Sequence, residues 1–134
     1  MNKNYLILCA LGSLLLLGAA RKNPSNFELA KAVHQVESSG RTGKNIFGDN
    51  GKAIGPLQIH YACWKDATDF DKSIGGKYLD CHDLTYSYKI FDAYLRKYGN
   101  GKSAEARARI WNGGIKGDEN SKTKQYWAKV KQHI

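Results

Sequence analysis

Between Val36 and Ile59 the chain reads VESSGRTGKNIFGDNGKAIGPLQI, and this stretch limits the possible folds more than any other. It follows directly on a run that reads as a helix. Ser25-Asn26-Phe27-Glu28 has the form of a capping box, and Leu29, Val33 and Val36 then fall on one face. Gly40 stops that helix. Beyond it, Ile46-Phe47 and Ala53-Ile54 flank Gly48-Asp49-Asn50-Gly51, the pattern of a short hairpin with a glycine turn. A helix end therefore meets a small irregular β region, and the rest of the chain must pack around that junction.

That remainder reads as helices. Pro56 suits the first turn of a second helix carrying Leu57, Ile59, Ala62 and Cys63. Residues 69–82, rich in Gly, Asp and Lys, read as a loop. A third helix is expected from about Asp83, with Leu84, Tyr88, Phe91, Leu95 and Tyr98 at helical spacing and Gly99 at its end. Ser103 can cap a fourth, ending at Gly113-Gly114. A last helix from about Ser121 would turn Tyr126, Trp127 and Val130 inward. There is no internal repeat, low-complexity tract or interdomain linker. The expected fold class is α+β, mainly α, in one domain over residues 21–134.

The first twenty residues read differently. Lys3 gives a short positive start, Tyr5 to Leu17 is mostly apolar, and Gly18-Ala19-Ala20 are small. This is the layout of a secretory signal peptide, cleaved near Ala20. The alternative is an uncleaved anchor, for which the apolar run is short. Cys9 follows Leu8, and lipid attachment would call for a small residue there. Export, to a periplasm or out of the cell, leaves Cys63 and Cys81 in an oxidising compartment, where a disulfide between them is expected. Such a bridge would contribute about 3 kcal/mol; the alternative is two separate buried thiols.

Charge narrows the partners. The net charge is +9, from 21 Lys and Arg against 12 Asp and Glu, which favours an anionic surface. The cations are dispersed rather than striped, and no DNA- or RNA-binding motif is present, so nucleic acid is not an expected partner. His34, His60, His82 and His133 are scattered, and no Cys/His cluster has metal-ligand spacing. No metal or cofactor is expected.

Two carboxylates carry the chemical argument. Glu37 stands four residues after Val33, at the edge of the apolar stripe and in the last helical turn. The negative end of the helix dipole and partial burial both disfavour its anion. A carboxyl protonated near neutral pH is what a general acid requires. Asp49 lies in the glycine turn, where Asp is also common for purely local reasons; ionised across a cleft from Glu37, it would complete the pair that glycosidic cleavage uses.

The ordering of these motifs resembles the lysozyme superfamily, above all invertebrate-type lysozymes and small bacterial and viral lysozyme-like proteins, with soluble lytic transglycosylases more distant. Glu37-Ser38-Ser39-Gly40 is similar to their catalytic-glutamate motif. Gly48-Asp49-Asn50-Gly51 and Gly55-Pro56-Leu57-Gln58-Ile59 resemble the β-turn and Gly-x-x-Gln-Ile segment lining the cleft. Trp111-Asn112-Gly113-Gly114 resembles the Asn-Gly-Gly element of the opposite wall, and Tyr126-Trp127 the closing Tyr-Trp pair. The similarity runs over nearly all of residues 27–131. It implies a lysozyme-like fold with a small β-hairpin beside the active-site cleft.

The resemblance further implies a muramidase cutting the β-1,4 bond between N-acetylmuramic acid and N-acetylglucosamine, with Glu37 as acid and Asp49 as second carboxylate. Gln58, Ile59, Trp111, Asn112, Gly113 and Tyr126 become substrate-binding residues. The implied partners are peptidoglycan in bacterial cell walls and chitin-type oligosaccharides, met by a monomer with no stable membrane insertion after cleavage of the leader. Two departures stand out. Invertebrate-type lysozymes are cysteine-rich, and Trp111 stands where they carry His and transglycosylases carry Tyr. Three other readings remain: a transglycosylase using Glu37 alone and leaving 1,6-anhydro ends, a non-catalytic wall-binding protein, and a cationic antimicrobial acting without chemistry.

Overall fold

The computed structural model describes residues 22–134. The leader expected over residues 1–20 lies outside the described residues. Helix α1 (Asn26–Ser38) opens on the expected capping box. Ser25 Oγ accepts from the Glu28 backbone N–H at 3.2 Å, and the Glu28 carboxylate accepts from the Ser25 N–H at 2.7 Å. Leu29, Ala32 and Val33 are buried completely. The helix ends at Ser39, in the left-handed region with φ 56°, and the Ser39 and Gly40 N–H groups return to the carbonyls of Gln35 and His34.

Three two-residue strands follow: β1 (Phe47–Gly48), β2 (Ala53–Ile54) and β3 (Ile59–His60). They form an antiparallel sheet in that order, with Phe47 opposite Ile54 and Ile54 opposite Ile59. The β1–β2 turn holds Asp49, Asn50 and Gly51 at φ of 49°, 54° and 83°. Asp, Asn and Gly are the residues that tolerate this left-handed backbone best.

The second helix does not start at Pro56. Gly55 and Gln58 take φ of 77° and 51°, the Gln58 N–H closes a turn onto the Gly55 carbonyl at 3.0 Å, and Ile59–His60 pairs with β2. Helix α2 begins only at Tyr61 and runs to Phe70. Leu57 and Ile59 are therefore core residues of a turn and a strand, buried all the same. The cause lies at Gly55, where a Cβ would stand 1.8 Å from the Cys81 carbonyl oxygen. The chain passes too close to its neighbour there for helical packing.

The expected loop over residues 69–82 contains two short 3-10 turns, Lys72–Ile74 and Tyr78–His82. The second clamps the sheet, because Tyr78 Oη donates to the Ile59 and Lys52 carbonyls at 2.8 and 3.1 Å. Helices α3 (Leu84–Tyr98) and α4 (Ala104–Gly113) open on Asp83 and Ser103, whose side chains accept from the Tyr86 and Ala106 N–H groups. A 3-10 turn at Ser121–Thr123 leads into α5 (Lys124–Val130). Ile90, Phe91, Ala93 and Leu95 of α3 are fully buried and form the centre of the core, joined by Val130 from α5. The mainly α class with one small sheet is what the sequence led us to expect.

The disulfide is not formed: Cys63 on α2 and Cys81 in the second 3-10 turn are both free thiols. Each packs against the core as a neutral group, and burial pushes both up, Cys81 to about 12 and Cys63 further. Among the described residues, no helix is long and apolar enough to cross a membrane.

Candidate active site

Glu37 sits one residue before the end of α1, and the next residue fixes that end in space. Ser38 is buried, and its hydroxyl donates to the Pro56 carbonyl at 2.8 Å. This single bond ties the helix terminus to the turn between β2 and β3. The carboxyl of Glu37 is thereby placed beside the sheet rather than out in solvent.

A cleft of about 250 Å³ opens there, lined by Glu37, Asp49, Ala53, Gln58, Ile59, His60, Cys63, Trp111 and Asn112. Its floor and one wall come from the end of α1 and the sheet, its other wall from the end of α4. Glu37 and Asp49, twelve residues apart in the chain, face the same space. Burial raises the Glu37 carboxyl above its ordinary value, the largest influence on it, while hydrogen bonds from Tyr126 and Trp111 pull the other way. The Tyr126 contact is direct, its Oη donating to Glu37 Oε1 at 2.6 Å. The same desolvation and the neighbouring carboxylate push the Tyr126 phenol far up, so it remains a donor.

Asp49 is in a contrasting setting. Its side chain is 59% exposed, and its Oδ2 lies 3.6 Å from His60 Nε2 on β3. One carboxyl is thus shielded from water and braced by a phenol, and the other is wet and beside an imidazole. That contrast in environment is the arrangement that separates an acid from an ionised partner.

The remaining expected residues divide. Gln58, Ile59, Trp111 and Asn112 reach the cleft. Ile59, only 1% exposed, supplies wall rather than a free contact. Gln58 Nε2 donates to the Gly55 carbonyl at 3.0 Å, and its Oε1 lies where a Cβ on Gly48 would come within 1.9 Å. Gly48 is what lets that amide lie across the strand. Trp111 packs tilted against Phe91 and edge-to-face against Tyr94, at centroid distances of 4.7 and 5.8 Å, and still lines the cleft.

Gly113 and Tyr126 lie outside the lining. Gly113 makes room for the Thr123 methyl, which would stand 2.6 Å from a Cβ. Tyr126 faces the acid instead of the open space. Two residues were missed by reading the sequence. His60 was hidden because Ile59 was read as helical, whereas in a strand His60 must point opposite to buried Ile59. Ser38 gave no signal beyond its place beside Glu37.

This arrangement of a helix-borne glutamate, a small three-stranded sheet and a closing helical wall defines a lysozyme fold. Structural comparison bears this out. The crystal structure of Tapes japonica lysozyme superposes with a TM-score of 0.68 at 24% identity, covering 83% of this chain and 94% of that one. A chain in the crystal structure of Aeromonas hydrophila PliI in complex with Meretrix lusoria lysozyme gives 0.66 at 23%, covering 78% and 87%. No family model matches the chain.

In sequence the resemblance is to the invertebrate-type lysozymes. The chain is 34% identical over 105 residues to "Lysozyme 1" of Crassostrea virginica, an alignment covering 75% of this chain. It spans about half the length of that curated relative, 55%.

Proposed function

We propose that the protein is a glycoside hydrolase of the lysozyme type, cleaving the β-1,4 bond between N-acetylmuramic acid and N-acetylglucosamine in peptidoglycan. The observation that carries this reading is Glu37. It is a carboxyl raised by burial, braced through Oε1 by Tyr126, in the same cleft as exposed Asp49. With Oε1 engaged, Oε2 is the oxygen left to hold and deliver the proton.

In this mechanism Glu37 protonates the glycosidic oxygen as the bond to the anomeric carbon breaks. Asp49 stabilises or traps the oxocarbenium-like centre, and water attacks to complete hydrolysis while Glu37 recovers its proton. Asn112 and the Trp111 ring supply an amide and an aromatic edge to the sugars. The substrate sits in bacterial cell walls, with chitin-type oligosaccharides as a related target. Export by the N-terminal leader, with cleavage near Ala20, brings the enzyme to it.

One observation favours a second reading within the same chemistry. Asp49 is mostly exposed and inclined toward His60, so a lytic transglycosylase would use Glu37 alone as acid and then base, with the muramic 6-hydroxyl attacking in place of water. Mass spectrometry of purified peptidoglycan treated with wild type, Glu37→Gln and Asp49→Asn separates the two. Free reducing ends lost in both variants are expected. Anhydro ends lost only in Glu37→Gln would replace hydrolysis with transglycosylation. Full activity of Glu37→Gln would end both readings.

A further inference from the structure

Helix α4 buries two arginines, and they are treated differently. Arg109, 8% exposed, is paired with a carboxylate and bonded through all three nitrogens. Its Nη1 pairs with Glu105 at 3.0 Å, its Nε bonds Thr123 Oγ1 at 2.8 Å, and its Nη2 bonds the Asn120 carbonyl at 3.1 Å. Arg107, 7% exposed, has no carboxylate. Its Nη1 donates to Asn26 Oδ1 at 2.7 Å, and its Nη2 to Asn23 Oδ1 at 3.1 Å and to the Pro24 carbonyl. Every acceptor is neutral; Nε, itself buried, has no partner, and Nη1 has a single acceptor for its two N–H groups.

The charge nearest in kind is Asp92, one amide away. Asp92 Oδ1 accepts from Asn26 Nδ2 at 3.0 Å, and its Oδ2 is engaged by Arg96. The first 21 residues contain no Asp or Glu, so none of their side chains can supply the missing charge. A buried cation with only neutral partners is costly, and a counter-charge relieves that cost.

Arg107 lines a pocket of about 240 Å³ between the start of α1, the end of α3 and the Gly99–Lys102 turn. The charged residues of its lining are Arg96, Lys102 and Arg107, with no acid among them. Arg96 is paired with Asp71 and Asp92, and Lys102 with Asp118. Arg107 alone of the three lacks an anion. Exposed Asn100 stands at the same pocket and can add an amide donor. With no acid in the lining, this charge selects against cations.

We propose that this pocket binds a small oxyanion, a phosphate or a carboxylate, as the counter-ion of Arg107. The proposal is independent of the hydrolase reading, since the cleft is built from other residues. Both anion types occur as parts of larger polymers, phosphate in phosphodiester chains and carboxylate at peptide ends.

Thermal unfolding and calorimetric titration at fixed ionic strength test it, using millimolar inorganic phosphate, acetyl-Ala-Ala with a free carboxylate, and acetyl-Ala-Ala amide. Millimolar ligand lies below the range where salts act by surface exclusion. Saturating phosphate or free-carboxylate peptide should raise the midpoint by about 4 °C or more, and the amide should do nothing. Response to phosphate alone or to the peptide alone names the source. Arg107→Gln also removes the bonds to residues 23–26, so Asn100→Asp is the more informative variant. Its tethered carboxylate should raise the midpoint without ligand and weaken phosphate at least tenfold. No saturable binding, or equal binding to Asn100→Asp, would overturn the site.

Discussion

At the scale of the residue, the proton on Glu37 bears on stability and, under the proposed mechanism, on reactivity. Burial makes the folded chain hold that proton more tightly than the unfolded chain, whose carboxyl titrates near 4.5. The stabilisation tied to this group is therefore complete at acid pH. It is lost as pH rises from the ordinary glutamate range through the raised folded value. Glu37→Gln removes that loss. At pH 7 the variant should be at least as stable as wild type in urea, with the difference fading toward pH 4, while wall cleavage falls about 10²–10⁴-fold. Tyr126→Phe acts on the same proton in the other direction. Without the phenol's bond to the ionised form, Glu37 rises further, and the alkaline limb of the kcat/KM profile should move to higher pH. A limb that moves down would mean the phenol favours the protonated carboxyl.

At the scale of the element, the acid is only as well placed as the turn that receives α1. Gly55 combines a φ of 77° with a backbone approach to Cys81 that no Cβ can share. Gly55→Ala should cost at least about 3 kcal/mol in denaturant unfolding, more than the roughly 1–2 kcal/mol of a left-handed alanine alone, because of the clash with the Cys81 carbonyl. This turn also marks where the sequence stops being legible. Capping residues Ser25, Asp83 and Ser103 and the apolar faces of α1 and α3 were readable because each signal is local. The Pro56 start for a helix followed a sound local rule and failed, because the approach of the Cys81 carbonyl is a tertiary fact. That Glu37 and Asp49 stand on the helix end and in the turn beside one cleft was legible from their places in the chain, and the roles proposed for them rest on that placement. Tyr126 was expected to bind substrate, whereas it braces Glu37 from outside the cleft lining, a contact hidden because its partner is far away in the chain. The pairing of Cys63 with Cys81 was inferred from compartment, and the packing instead holds two neutral thiols.

At the scale of the whole molecule, the net charge of +9 sets how the chain meets a surface. Half of the twelve acids are already paired with Lys or Arg, as in Lys65 with Asp69 and Lys102 with Asp118, so the excess is cationic. Screening shortens its reach to about 10 Å at 0.1 M salt. Lysis of whole cell walls should therefore weaken several-fold as salt rises to about 0.5 M, while cleavage of short neutral oligosaccharides stays level. Parallel salt dependence for both substrates would place the effect inside the cleft. The Tyr126–Glu37 bond has its own reach, joining residues 89 apart. A molecule whose last helix has come loose keeps its carboxyl but loses the burial that raises it, along with the phenol's bond that opposes that rise. Under the proposed mechanism, turnover becomes a gauge of docking: an assay at neutral pH counts only chains whose last helix has closed onto the first, and a partly opened population falls silent before its helices melt.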